Sequence, residues 1–217
     1  MTELEAIVER HSVRNYKPEK ISKELVIKIN EKIKELNKAG NLHLQFIEDA
    51  GNTYNRLLNK AMGLGSAPSV IACVGKKSED LDKRIGYYGQ QLVLYAQTLG
   101  LNTCWAGTFN KKNIGAVVED DEKLVISIAI GYGENPGRIR KSKTAEQVSE
   151  VKGDCPEWFK KGVEMALLAP TAINQQKFLI VLNEDGTVDF IDKGGPYSKV
   201  DLGIIKYTFE VATRNRA

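Results

Sequence analysis

The stretch LVISIAIGY, Leu124 to Tyr132, is apolar at nearly every position. A strand with one wet face alternates apolar and polar residues, whereas this one offers water neither face. It therefore belongs in the middle of a sheet covered on both sides. It is far too short to cross a bilayer as a helix, so a membrane span is not its explanation. The chain must supply neighbouring strands and helices to cover them. Its 217 residues suffice for one generous domain or two small lobes sharing a core. A chain of this size buries roughly 70% of its unfolded surface, so it needs neither disulfides nor a metal staple.

The remaining pattern supplies those elements. TELE, Thr2 to Glu5, has the form of a capping box and predicts a first helix from about Glu3 to Glu9. RHSVRNYKP reads as loop. In the second helix Leu25, Ile29, Ile33 and Leu36 share a face, and Gly40 is the expected stop. LHLQFI (Leu42 to Ile47) alternates as a strand, and APSVIACVG (Ala67 to Gly75) is a nearly wholly apolar one. A long helix through YYGQQLVLYAQTLG turns Leu92, Tyr95, Ala96 and Leu99 inward and closes at Gly100. LNTCWAGTF is extended, and Asn110 is expected to cap a short helix. After the basic loop GRIRKSK, Gly137 to Lys143, the pattern starts again. CPEWFKKGVEMALLAP is a helix between Pro156 and Pro170. KFLIVLNEDGTVDFID is a hairpin turning at Asp185-Gly186, and SKVDLGIIKYTFEVAT is a final helix.

Two segments echo two others. KINEKIKELNKAGNLHLQFIED has the same order of helix, loop, strand and acidic turn as KKGVEMALLAPTAINQQKFLIVLNED. DKRIGYYGQQLVLYAQ matches SKVDLGIIKYTFEVAT in position and in its central glycine. The fold class is α+β, a mixed sheet flanked by helices, read as two diverged structural repeats over residues 1–150 and 151–217.

Composition excludes several functions. Cys73, Cys104 and Cys155 are scattered and odd in number, and only His11 and His43 accompany them, so no zinc site is expected. A net charge of +3 is mild, and the basic residues are not interleaved with aromatics as a nucleic-acid groove requires. The N-terminus lacks the layout of a signal peptide. A soluble cytoplasmic protein is expected, with no membrane and no nucleic-acid partner.

Four segments hold residues suited to a ligand, and each has a plainer reading. Arg10, Ser12 and Arg14 suit a phosphate monoester, yet Arg10 can equally offset the negative end of the first helix. Arg138, Arg140, Lys141 and Lys143 follow the most buried strand, where ligands of open sheets gather, or form a solvated linker. In APTAINQQKF the side chains of Thr171, Asn174, Gln175 and Gln176 can read a ring edge or close their own turn. In TCWAGTF the small Ala106 and Gly107 after Trp105 admit a planar ligand, or Trp105 is plain core.

In order and type these pieces resemble the flavin-dependent nitroreductase family. Arg10, His11, Ser12 and Arg14 match its Arg-[Arg/His]-Ser-x-[Arg/Lys] opening. APSVIACV is similar to its central strand entry, and LYAQTLGLNTCWAGTFN to its long helix and the Trp-x-Gly stretch after it. IAIGYGENPGRIRK resembles its Ile-Gly-Tyr-Pro strand end with a basic tail, and APTAINQQKF its Ala-Pro-Ser-x-x-Asn-x-Gln-Pro-Trp motif. Thr171 replaces the usual Ser, and Lys177-Phe178 the Pro-Trp. The order departs in one respect. The Pro-Ser-x-x-Asn motif ordinarily follows the Arg-Ser segment closely; here NKAGNLHLQ stands there and the motif falls in the second half. This looks like the subgroup with an internal pseudo-dimer, in which one chain supplies both half-sites.

The resemblance implies one FMN per chain, bound between the halves, with NADH or NADPH as reductant. It implies ping-pong hydride transfer through flavin N5 to a nitroaromatic, quinone or free flavin, with no catalytic side chain. Arg10, Ser12 and the region of Arg138, Arg140 and Lys143 would hold the phosphate, and His11 would donate through its backbone. Arg14 would lie at the pyrimidine edge, Trp105, Ala106 and Gly107 would offer backbone contacts, and Pro170, Thr171, Ala172 and Asn174 would line the ring. A pseudo-dimer favours a monomer and leaves a homodimer open. The alternative is a non-catalytic flavin- or nucleotide-binding protein that senses or stores.

Overall fold

The computed structural model describes residues 1–54 and 64–214. The chain divides into two compact units, neither contiguous in sequence. One comprises Met1–Glu9, Asp82–Gln91 and the chain from Arg140 onward; the other comprises Arg10–Leu81 and Leu92–Ile139.

The second of these units is built on a four-stranded antiparallel sheet. Its strands are β1 (His43–Ile47), β2 (Ser69–Lys76), β3 (Asn102–Ala106) and β4 (Glu122–Gly131), in the order β1-β2-β4-β3. β4 contains the apolar stretch and has a strand on either side, as its two dry faces require. β2, buried from Ser69 to Gly75, lies beside it, with a register shift between Cys73 and Val74. Helix α2 (Lys23–Gly40) buries Ile29, Ile33 and Leu36, while Leu25 is only half-buried. The helix ends one residue later than expected. Gly40 is its last helical residue, and Asn41, at φ 48°, takes the left-handed conformation that closes it. Asparagine tolerates that conformation, so glycine is not required there. Asn37 then exchanges two hydrogen bonds with the Leu44 backbone, at 3.0 and 2.7 Å, and ties the helix end to β1. Asn110 caps a turn rather than a helix: its Oδ1 accepts from Lys112 N–H at 3.2 Å.

The other unit has a three-stranded sheet, β5 (Ser149–Val151), β6 (Phe178–Leu182) and β7 (Val188–Asp192). β5 pairs parallel with β6, and β6 with β7 as the antiparallel hairpin read from sequence. α1 (Glu3–Glu9), α4 (Glu157–Leu168) and α5 (Ser198–Thr213) belong here, with residues 82–91 of α3 (Leu81–Thr98). The α1 capping box forms: Thr2 N–H donates to Glu5 at 2.8 Å, and Glu5 N–H to Thr2 Oγ1 at 3.2 Å. Phe159, Phe190 and Trp158 all pack edge-on against Phe209, a geometry that adds to the gain from burying their area. Glu3 accepts hydrogen bonds from the Tyr207 hydroxyl and from Arg214, joining α1 to α5. α3 and α5 approach at two glycines. A Cβ at Gly86 would lie 2.0 Å from the Val200 carbonyl oxygen, and one at Gly203 would lie 2.1 Å from that of Lys83.

Candidate functional site

Residues Arg10 to Tyr16 do not turn away into solvent. Val13 and Tyr16 are fully buried and draw the segment against the sheet. Val13 N–H donates to the Thr103 carbonyl at 3.1 Å, and Ser12 forms a parallel bridge with Thr103 of β3. Tyr16 bridges Gly133 beyond β4, and Lys17 N–H donates to the Tyr132 carbonyl at 2.8 Å. Arg14 is exposed, Ser12 and His11 are half-buried, and Arg10 is only 5% exposed.

The neighbours of this segment are the residues picked out by sequence. Burial pushes the Cys104 thiol up, and Arg14, Arg10 and a hydrogen bond with Ser12 pull it back. The two guanidinium groups therefore act at β3, one residue before Trp105. Trp105 is half-buried, Ala106 is buried with its carbonyl accepting from Ser127 Oγ at 3.1 Å, and Gly107 follows at the strand end. On the other side, a Cβ at Gly137 would lie 2.7 Å from His11 Cβ, and Gly137 has φ +85°. Only glycine satisfies both conditions, and Arg138 follows directly. Arg10, His11, Ser12, Arg14, Trp105, Ala106, Gly107 and Arg138 all lie in this unit. The donors are guanidinium, hydroxyl and backbone N–H, a set that fits a phosphate and would suit no cation.

The other expected residues lie in the other unit. Pro170 is buried after α4, and Thr171 Oγ1 accepts from Gln176 N–H at 3.1 Å. Asn174 Nδ2 donates to the Lys141 carbonyl at 2.8 Å. Ile173, Asn174 and Gln176 have φ of 47°, 55° and 44°, left-handed without being glycine. Each such residue costs roughly 1–2 kcal/mol, most for a β-branched one, and persists only where its surroundings fix it.

Here the surroundings do. Arg140 Nη2 donates to the carbonyls of Leu167, at 2.9 Å, and Ala169 at the end of α4. Lys143 Nζ donates to the Gln176 carbonyl at 2.7 Å, and Lys143 N–H to Gln176 Oε1 at 2.8 Å. Gln176, 2% exposed, also donates from Nε2 to Ser142 Oγ at 3.0 Å. Arg140 and Lys143 thus use these donors to brace the 170–176 segment.

Sequence reasoning missed Asp201, in the first turn of α5. Its Oδ1 and Oδ2 accept the Ala172 N–H at 3.0 and 3.1 Å, and Oδ2 accepts Gln175 Nε2 at 2.8 Å. Burial pushes its carboxyl up to about 6 and Asp192 adds repulsion, while the hydrogen bonds from Gln175 and Ala172 and the charge of Arg140 oppose the rise. An acid in a first helical turn is ordinary for the helix dipole, so its position carried no signal.

A four-stranded antiparallel sheet with an Arg-Ser segment along β3, and a braced Pro-Thr-x-x-Asn loop elsewhere, define an α+β protein of the nitroreductase kind. The chain matches the family described as "Putative TM nitroreductase" over residues 3–213 and belongs to that family. Among solved structures it is similar to a putative nitroreductase from Thermotoga maritima: 25% identity, TM-score 0.67, covering 99% of this chain and 84% of that one. It shares the fold of a putative nitroreductase in complex with FMN from Desulfovibrio desulfuricans: 20% identity, TM-score 0.51, covering 72% and 99%. A nitroreductase family protein from Streptococcus pneumoniae gives 14% identity and TM-score 0.54, covering 69% and 99%. No curated protein matches the chain. Among the described residues no helix is long and apolar enough to cross a membrane.

Proposed function

We propose that the chain is an FMN-dependent NAD(P)H oxidoreductase of nitroreductase type. The carrying observation is the donor set along β3, where Ser12 pairs with Thr103 and Gly137 admits His11 at close range. Family membership and the FMN complex of the Desulfovibrio protein support the same reading. Bound FMN would supply hydride acceptance from NADH or NADPH and its passage to a nitroaromatic, quinone or free flavin.

The chain's residues bind and orient. Arg10 and Ser12 hold the phosphate, with Arg138 nearby and His11 donating through its backbone. Arg14 sets a permanent positive charge at the pyrimidine edge, which stabilises negative charge arriving there. Trp105, Ala106 and Gly107 offer backbone contacts to the ring; for Pro170, Thr171, Ala172 and Asn174, which belong to the other unit, ring contacts are what the family resemblance implies. Arg140 and Lys143 enter through the segment they brace.

The proposal includes two diverged repeats, residues 1–150 and 151–217, in a monomeric cytoplasmic protein. Two features support the duplication. α2, β1, β2 and α3 recur in order as α4, β6, β7 and α5, each strand pair antiparallel. The helices that end each series approach through reciprocal glycine contacts.

The visible spectrum of the purified protein tests the function. A flavin band at one FMN per chain, bleached by anaerobic NADH or NADPH and restored by a quinone, is expected. A colourless chain that takes up no FMN would refute it. A yellow chain inert to both nucleotides would instead favour a sensing role.

A further inference from the structure

We infer that Asp201 is the positioning residue of the 170–176 segment, its carboxylate gripping the Ala172 N–H and the Gln175 amide so that Thr171 and Asn174 are held to the flavin ring. The inference rests on the FMN reading above.

The segment has little intrinsic reason to keep its shape. Ile173, Asn174 and Gln176 all sit in left-handed backbone, and Ile173 is 87% exposed, so its own packing cannot stabilise it. Restraint comes from both ends. Gln176 is tied to Lys143 and Thr171, and Ala172 and Gln175 are tied to Asp201. Gln175 Nε2 donates to Asp201 and also to the Pro196 carbonyl at 2.9 Å. That pair of acceptors fixes the orientation of the amide. Turning it over would aim Oε1 at both of these oxygens, acceptor against acceptor. A group at 201 that accepts on both oxygens satisfies the arrangement, whereas an amide there places a donor against a donor. The charged groups acting on Asp201 are Asp192, which disfavours its ionised form, and Arg140, which favours it.

The test uses the full chain stripped of flavin. FMN affinity is measured by fluorescence titration at pH 7.5 and pH 5, for wild type and Asp201→Asn, and Ala172 amide exchange is followed by NMR without FMN. At pH 7.5 the variant is expected to bind FMN roughly tenfold more weakly and to exchange Ala172 N–H at least about tenfold faster. At pH 5 wild type carries a protonated Asp201, so the affinity ratio should shrink toward one. The FMN phosphate also titrates near pH 6, but equally in both proteins, and cancels in the ratio. Equal affinities at pH 7.5, or a ratio unchanged at pH 5, would overturn the inference and leave FMN binding standing. Wild type that binds no FMN would overturn the functional reading itself. Should Asp201→Asn not fold, Gln175→Leu removes one of the two donors and should weaken FMN about threefold; unchanged affinity there would overturn the inference as well.

Discussion

Gly86 of α3 and Gly203 of α5 contact one another's helices in the same register. A Cβ at either would strike the carbonyl oxygen three residues before the other, Val200 at 2.0 Å and Lys83 at 2.1 Å. The next contacts repeat the relation, with Ile204 N 3.1 Å from the first and Tyr87 N 2.7 Å from the second. Each helix therefore presents to the other the patch it receives, as two copies do across a two-fold axis.

Gly203→Ala and Gly86→Ala should each destabilise the chain by about 2–3 kcal/mol, because a methyl group must force backbone apart rather than displace a side-chain tip. Together they should cost less than their sum, since the first methyl already opens the crossing that the second needs. Urea denaturation of both single variants and the double checks this.

Arg10→Ala should weaken FMN binding by at least about tenfold, as expected for losing charge-assisted hydrogen bonds. Arg14→Leu should chiefly lower the flavin midpoint potential, since its charge acts on the ring. Fluorescence titration reads the first and spectroelectrochemistry the second. Unchanged values would remove each residue from its role.

Glu122 is buried, which raises its carboxyl, but hydrogen bonds from His43 at 2.9 Å and the Glu119 N–H outweigh burial and hold it below its ordinary value. A carboxylate held low stabilises the fold above its unfolded pKa, and the contribution is lost as pH falls through the lower folded value. His43→Ala should cost about 1 kcal/mol at pH 7. The loss should shrink below pH 4 in denaturation curves.

Asp201 works in the opposite direction. Its folded pKa of about 6 lies above the ordinary value, so the native chain binds a proton there that the unfolded chain does not. Its ionisation therefore costs stability as pH rises from about 4 to 6, on the order of 3 kcal/mol in full. Asp201→Asn should flatten that part of the stability profile, measured by urea denaturation at pH 4, 5, 6 and 7.

Ile173 sits at φ 47° and is 87% exposed, so it bears strain with little burial to offset it. Ile173→Asn should raise stability by about 1 kcal/mol, seen as a higher melting temperature.

The elements were legible because each carried its own local signal. LVISIAIGY announced a central strand, TELE a capped start, and Asp185-Gly186 a hairpin turn, and each depends on residues only a few positions apart. Arg10 to Arg14 was not legible as a strand-edge segment, because Val13 and Tyr16 commit it only once Thr103 and Gly133 are beside them. Arg140 and Lys143 read as free cations because nothing in GRIRKSK reveals the carbonyls of Leu167, Ala169 and Gln176. Asp201 was invisible for the same reason. Its partners Ala172 and Gln175 lie 29 and 26 positions away.

The bond between Glu3 and Tyr207 spans 204 positions, and it dictates an order of events during synthesis. α1 leaves the ribosome roughly 10–40 s before the helix that holds it. Residues 10–139 meanwhile contain every strand of the four-stranded sheet and can complete it. A helix made well before its partner is thus among the last of these elements to find its place.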